Sequence, residues 1–249
     1  MRLSDVQADA LAYMYAHEFV EQAVDEKDLH NPLLHDIEYP TKAPLSEKVI
    51  DRNEVAEKVV FVALADLAAA RRLKLSIAEP ERLLGQRWLR RLATRLGVRR
   101  QVLLVERDGS FPASPLNQAL EELFDSFLVP GSDFVSEPRL PLRQLLRALF
   151  KRREKDRDPY HEIIQWVGDE LIDEGFYTDG TEVLAGAVPF KQAHPDLEKM
   201  REVAGRVAEL RERLATFERR EPELYQALRQ TVKETMKELS VLYSRRYSL

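Results

Sequence analysis

Residues 86–100 (QRWLRRLATRLGVRR) concentrate the side chains of this sequence that are best suited to bind an anion. They include six arginines, one tryptophan and no carboxylate. Guanidinium groups form paired hydrogen bonds with phosphate and carboxylate oxygens, and an indole ring suits the boundary between an apolar and a polar layer. The candidate anion-binding residues of this segment are Arg87, Trp88, Arg90, Arg91, Arg95, Arg99 and Arg100.

The spacing of these residues predicts an amphipathic helix. At 100° per residue, Trp88 and the leucines fall in one arc and most arginines in the opposite one. Arg87, Arg91 and Arg95 repeat every four residues, so their like charges repel one another unless an anion lies nearby. We therefore expect a counter-charge at this helix.

A second basic segment, residues 139–157, adds Arg143 and Arg147 to the candidates. Both belong to a stripe spaced by four residues, and leucines form a separate apolar face. The two basic helices can frame one pocket. Because the whole chain has a net charge of −5, its remaining residues are strongly acidic. Such segregation indicates either internal docking of basic on acidic surface or a basic face for a partner.

Three anions can serve the basic helix, and the sequence leaves them open. The first is internal, and its candidate carboxylates are Asp169, Glu170, Asp173 and Glu174, or Glu121, Glu122 and Asp125. Plain solvation of the arginines is the alternative to such internal pairing. The second is an anionic membrane surface, with Trp88 and the leucines dipping into it. The third is the phosphate backbone of a nucleic acid, although the acidic balance of the chain does not favour it.

Composition and missing motifs exclude several kinds of chemistry. With no cysteine, the chain has no disulfide, thiolate nucleophile or cysteine-bound metal. No GxSxG, GxxxxGK[ST] or GxGxxG motif occurs. Histidines and acids at 17, 18, 30, 35, 36 and 38 match no strong metal-ligand spacing. We expect no catalytic residue, metal or cofactor.

No apolar run long enough to span a bilayer and no secretory leader can be read in the sequence. The expected location is the cytoplasm, with peripheral membrane association as a further option.

The elements predicted around these segments are mostly helical. We expect a mainly α protein with winged-helix-like units, small β-hairpins and a C-terminal helical hairpin, because Leu, Ala, Arg and Glu dominate and Gly is scarce. Three parts follow along the chain: an N-terminal helix and proline-rich wrap (1–50), a helical core with the winged-helix-like units (51–190) and an αα-hairpin (191–249). The hairpin suits homo-oligomer formation.

Particular patterns set the expected boundaries. The first helix runs from Ser4 to near Asp25, and an apolar helix follows Asp51. Alternating residues predict strands at 72–77 and 101–106. A small hairpin is expected at 176–184, with its turn at Asp179-Gly180. In both units, a helix thus directly precedes a short strand.

The order of these elements resembles the core of the Golgi phosphoprotein family of phosphoinositide-binding proteins. The stretches that carry the resemblance are ALADLAAARRLKLSI, VLLVERDG, PLNQALEELF and HEIIQWVGDELIDEGFY, within residues 55–180. The resemblance implies a helical, non-catalytic, peripheral membrane adaptor that recognises anionic lipid head groups through tryptophan and arginine. For this chain it implies anion binding by Trp88 and nearby arginines.

The sequence as a whole predicts a non-enzymatic binding or adaptor protein. Its basic face meets anionic lipid head groups or an acidic protein partner. The alternatives are a DNA-binding regulator built on the winged-helix-like units and, less favoured, a metal-dependent enzyme.

Overall fold

The computed structural model of the protein describes residues 6–20, 41–46, 48–78, 102–127, 139–151, 158–184 and 188–247. The helices within these ranges are α1 (Ala8–Met14), α2 (Ala16–Phe19), α3 (Arg52–Ala69), α4 (Pro115–Phe127), α5 (Leu142–Lys151), α6 (Pro159–Asp173), α7 (Leu197–Glu202), α8 (Ala204–Arg220) and α9 (Pro222–Tyr247). The strands are β1 (Thr41–Lys42), β2 (Val49–Ile50), β3 (Leu73–Ala78), β4 (Val102–Arg107), β5 (Leu140–Pro141), β6 (Tyr177–Leu184) and β7 (Val188–Pro195). The mainly α fold with small antiparallel strand pairs is confirmed.

Helix α3 lies at the centre of the core. The carboxylate of Asp51 caps its first turn by accepting hydrogen bonds from the backbone N–H groups of Asn53 (2.7 Å) and Glu54 (3.3 Å). From Val55 to Leu67 most of its residues are buried, on nearly every face. A helix that is apolar all round must be covered on all sides. Helices α1, α6, α8 and α9 pack against it and provide this cover.

The end of α3 leads directly into the three-stranded sheet. The backbone N–H of Arg72 donates to the carbonyl of Leu67 (2.9 Å), and that of Arg71 to the carbonyl of Ala68 (3.0 Å). This pair of bonds closes the helix, with Arg71 in the left-handed region at φ 58°. Strand β3 begins two residues later, so helix and strand are joined with almost no loop.

The sheet has the strand order β3-β4-β5, and all its pairs are antiparallel. Leu73 pairs with Arg107 at one end of the β3–β4 ladder, and Ala78 pairs with Val102 at the other. The strands predicted at 72–77 and 101–106 are thus present, each displaced by one residue. The short third strand, β5, has no alternating pattern to predict it.

The second strand pair corrects the predicted hairpin. Tyr177 to Leu184 form one strand that pairs with Val188 to Pro195. Asp179 and Gly180 lie within β6, opposite Ala193 and Gln192, and do not form the turn. The Asp-Gly pair is a local turn signal, but the eight-residue ladder pairs its backbone groups with a partner that lies further along the chain. The helix-then-strand order that was predicted, α6 followed by β6, is present.

The N-terminal helix is shorter than predicted and has a break. Helices α1 and α2 meet at Tyr15, whose backbone leaves the helical region at φ −109° and ψ 35°. The Tyr15 hydroxyl donates a 2.7 Å hydrogen bond to the carbonyl of Met200. This contact ties the N-terminal segment to α7, which no periodicity in either segment reveals.

The C-terminal helices α8 and α9 are separated by Glu221 alone, and Pro222 begins α9. The sequence predicts an interruption of the helical pattern at Glu221-Pro222, and this prediction is confirmed. Leu228, Val232 and Met236 on α9 are fully buried, and this helix packs on α3, α5 and α8. One continuous hydrophobic core therefore includes residues from all three predicted parts of the chain.

Candidate functional site

Seven of the predicted anion-binding residues belong to the stretch of sequence that connects β3 to β4. Arg87, Trp88, Arg90, Arg91, Arg95, Arg99 and Arg100 belong to residues 79–101, outside the described residues. The two residues to which this segment is joined are described. Ala78 and Val102 are paired neighbours at the end of the β3–β4 ladder. Both ends of the arginine-rich segment therefore leave the sheet at the same place.

The register of β5 brings the second basic segment towards that place. Leu140 pairs with Val105 and Pro141 with Leu104, so the chain in β5 runs in the direction of Val102. Helix α5 begins immediately afterwards, at Leu142. Arg143 in its first turn is thus attached near the end of the sheet from which residues 79–101 leave.

Arg143 and Arg147 share one carboxylate. Both guanidinium groups donate to the side chain of Glu238 on α9, one to each oxygen. Burial alone would raise the pKa of Glu238, but the hydrogen bonds and charges of the two arginines outweigh burial and hold this pKa below its usual value. One carboxylate facing two guanidinium groups leaves one positive charge in excess.

This triad is only partly shielded from water. The exposed fractions of the Arg143, Arg147 and Glu238 side chains are 35%, 36% and 31%. The Nε atom of Arg143 is buried and has no hydrogen-bond acceptor. The arginine pair is therefore accessible from one side, and one of its donors is unused.

Other carboxylates near the sheet have arginine partners within the described residues. Arg139 binds Glu106 at 3.2 Å. Arg107 on β4 lies 3.4 Å from Glu121 and 2.9 Å from Asp125. Two of the acids considered as internal counter-charges for residues 86–100 therefore already bind another arginine.

A buried group of carboxyl residues is a feature that the sequence analysis missed. Asp9 on α1 is fully buried and accepts a 2.6 Å hydrogen bond from the hydroxyl of Ser114. The Ser114 oxygen in turn accepts a 3.2 Å bond from the backbone N–H of Asn117, so it also caps α4. Asp9 follows Val6 by three residues on the apolar face of its helix, and this spacing is the signal that could have revealed it.

Glu170 on α6 belongs to the same group. Its Oε2 atom is buried and has no hydrogen-bond partner. Burial, followed by the nearby charges of Asp9 and Glu174, raises the pKa of Glu170 to about 9. Burial also raises the pKa of Asp9, although the bond from Ser114 opposes this effect. At neutral pH, Glu170 therefore keeps its proton in the folded chain.

The described residues contain no group of three or more His, Asp and Glu side chains that could hold a metal ion. His17 lies 3.7 Å from Glu18 and stacks on the ring of Tyr15. Burial lowers the pKa of His17, against the opposing effect of Glu18. The other acids and histidines considered for a metal, at 30, 35, 36 and 38, lie outside the described residues.

Among the helices of the described ranges, none is both long and apolar enough to cross a bilayer. Comparisons of the chain with protein-family models, with curated proteins and with solved structures gave no match. The resemblance to the Golgi phosphoprotein family stays a prediction from the sequence pattern.

Proposed function

We propose that the chain is a non-enzymatic peripheral adaptor whose arginine-rich segment, residues 79–101, docks on an anionic membrane surface. The observation that carries the proposal is the concentration of seven arginines, against the two carboxylates of Glu79 and Glu81, in a segment that joins two paired strands of an otherwise acidic chain. Ala78 and Val102, the two residues to which the segment is joined, are paired at one end of the sheet.

The ion pairs of neighbouring residues support an external partner. Arg107 forms ion pairs with Glu121 and Asp125, and these two acids are therefore less available to residues 79–101. Glu170 has its proton at neutral pH and lies in the group that includes Asp9, so it is a poor internal counter-charge. An anionic surface supplies the counter-charge that Arg87, Arg91 and Arg95 require.

The magnitude of the attraction is adequate for membrane binding. Each basic side chain near an anionic leaflet contributes about 1 kcal/mol, within a Debye length of about 8 Å at physiological salt. Three arginines thus account for about 3 kcal/mol, or roughly a hundredfold in affinity. Trp88 suits the interface because its ring is apolar and its N–H is polar.

Co-sedimentation with phosphatidylcholine vesicles and with vesicles that also contain phosphatidylserine tests the proposal. We expect binding to the anionic vesicles only, weaker at high salt. Replacement of Arg87, Arg91 and Arg95 by Gln should reduce the affinity about a hundredfold. The matched control replaces Arg229, Lys233 and Lys237 on α9 by Gln. These residues have the same four-residue spacing, and their replacement should leave most of the affinity for anionic vesicles.

Fluorescence gives a second measurement on the same vesicles. The chain has two tryptophans, and Trp166 is buried and stacked on Phe150. A Trp166→Phe background isolates the emission of Trp88, which should shift to shorter wavelength on anionic vesicles. A mixed-sequence DNA duplex is measured in parallel. Binding to DNA with none to vesicles would replace the adaptor by the DNA-binding alternative, and binding to neither would favour an acidic protein partner.

A further inference from the structure

The end of α9 carries two exposed apolar side chains beside the Arg143–Glu238–Arg147 triad. Val241 and Leu242 are 44% and 49% exposed, and only Leu197 accompanies them among the large apolar residues that the described part of the chain exposes. At 100° per residue, Val241 and Leu242 lie within about 60° of Glu238 on either side of it. The face of α9 that meets the two arginines is thus flanked by apolar surface.

We propose that Arg143, Arg147, Val241 and Leu242 form a second contact surface for an anionic membrane, with Glu238 as an internal stand-in for the lipid phosphate. This inference rests on the proposed function, because it extends the membrane contact of residues 79–101 to α5 and α9. It adds a membrane contact on α5 and α9, and a carboxylate, that of Glu238, which competes with the lipid phosphate for the two arginines.

Charge complementarity supports an anionic partner. Two guanidinium groups share one carboxylate, so the triad keeps one positive charge in excess. Arginine forms paired hydrogen bonds with phosphate.

The geometry also allows the Glu238 carboxylate to leave the two arginines. About a third of its side chain is exposed, so its carboxylate can rotate into water without unfolding of α9. The buried residues Leu228, Val232 and Met236 hold the helix on the core, and Ser240 donates a 3.2 Å hydrogen bond to Asp158. Helix α9 therefore keeps its place when the ion pair opens.

The apolar pair favours a lipid surface over a soluble anion. Half-exposed valine and leucine side chains gain free energy when they leave water. A small soluble phosphate cannot cover them, whereas a lipid surface can. Helix α5 also starts near the end of the sheet at which Ala78 and Val102, the residues that flank 79–101, are paired.

Three variants measured on phosphatidylserine-containing vesicles test the inference. Glu238→Gln removes the internal competitor and should raise the affinity about fivefold. The double change Val241→Ser and Leu242→Ser should lower it about tenfold through the lost apolar contact. The double change Arg143→Gln and Arg147→Gln should lower it and abolish the gain of Glu238→Gln.

Matched controls separate these effects from general changes in charge and hydrophobicity. Glu209→Gln removes one exposed acid on α8, and Leu197→Ser removes the third exposed apolar side chain. Both should bind as the unchanged chain does. Circular dichroism of each variant confirms that the helices are intact.

The outcomes distinguish this inference from the proposed function. If the changes at 87, 91 and 95 weaken binding and the α5 and α9 variants do not, the second surface is wrong and the function stands. If only the α5 and α9 variants matter, the second surface stands and the role of residues 79–101 is wrong. If neither the unchanged chain nor Glu238→Gln binds anionic vesicles, both are wrong.

Discussion

Replacement of Glu170 by Gln should stabilise the protein, and by an amount that depends on pH. In the folded chain the pKa of Glu170 is about 9, because the group is largely buried and lies near Asp9 and Glu174. In the unfolded chain it returns to its ordinary value of 4.5. Between these two values, folding requires the carboxyl group to take up a proton.

The direction of the pH dependence follows from this difference. The folded state binds more protons, so the free energy of unfolding is highest below about pH 4.5 and falls as the pH rises towards about 9. The slope for one full proton is about 1.4 kcal/mol per pH unit. At about pH 7.5 the cost of Glu170 is therefore at most about 4 kcal/mol, and about 3 kcal/mol if partial exposure halves the shift.

Gln keeps the shape and polarity of the protonated acid without this cost. We expect Glu170→Gln to be more stable than the unchanged chain by about 3 to 4 kcal/mol at about pH 7.5, and by much less near pH 5. A residual slope should remain because Asp9, whose pKa is also raised, is still present.

Urea unfolding followed by circular dichroism at several pH values between about 5 and about 8.5 measures the effect. Asp169→Asn is the control, because Asp169 is the exposed neighbour on the same helix and should not change the slope. Equal pH slopes for Glu170→Gln and the unchanged chain would refute the reasoning, as would a loss of stability at neutral pH.

Three further substitutions test contacts that position the core. Asp51→Ala removes the cap of α3 and should cost about 1 kcal/mol in thermal unfolding, while Asp51→Asn should restore most of it. Ser114→Ala removes the cap of α4 together with the donor to Asp9, and a cost of about 2 kcal/mol is expected from urea titration; a neutral result would contradict the buried contact. Tyr15→Phe removes the hydroxyl that binds the Met200 carbonyl, and should cost about 1 kcal/mol and speed amide exchange in α2.

The elements that local signals define were predictable from the sequence. Asp158 and Pro159 predict the start of α6, and in the structure the Asp158 carboxylate accepts a 3.0 Å bond from the Tyr160 N–H. The continuous apolar character after Asp51 predicts that α3 is central, because a helix of this composition needs cover on every face.

Features that depend on distant partners were not predictable. The hydroxyl of Tyr15, the residue at the break between α1 and α2, donates a hydrogen bond to a residue 185 positions away. Asp179-Gly180 has a turn composition, yet its backbone pairs with residues 192 and 193. Sequence patterns describe neighbours along the chain and do not include these long-range partners.

The sequence predicted which basic residues belong to the candidate site, but it did not predict all of the side chains that surround them. Arg143 and Arg147 are basic and partly exposed on α5, but the sequence did not identify Glu238, ninety-one residues beyond Arg147, as their shared partner. The group around Asp9 and Glu170 was also missed, because it joins α1 to α6 through side chains that no single helical pattern contains.

Binding of the unchanged chain to anionic and neutral vesicles, at low and physiological salt, tests the central claim most directly. We expect the chain to sediment with phosphatidylserine-containing vesicles alone, to sediment less as salt rises, and to lose binding when Arg87, Arg91 and Arg95 become Gln. Equal recovery with neutral vesicles, or anionic binding that survives these three changes, would contradict a membrane contact built on residues 79–101.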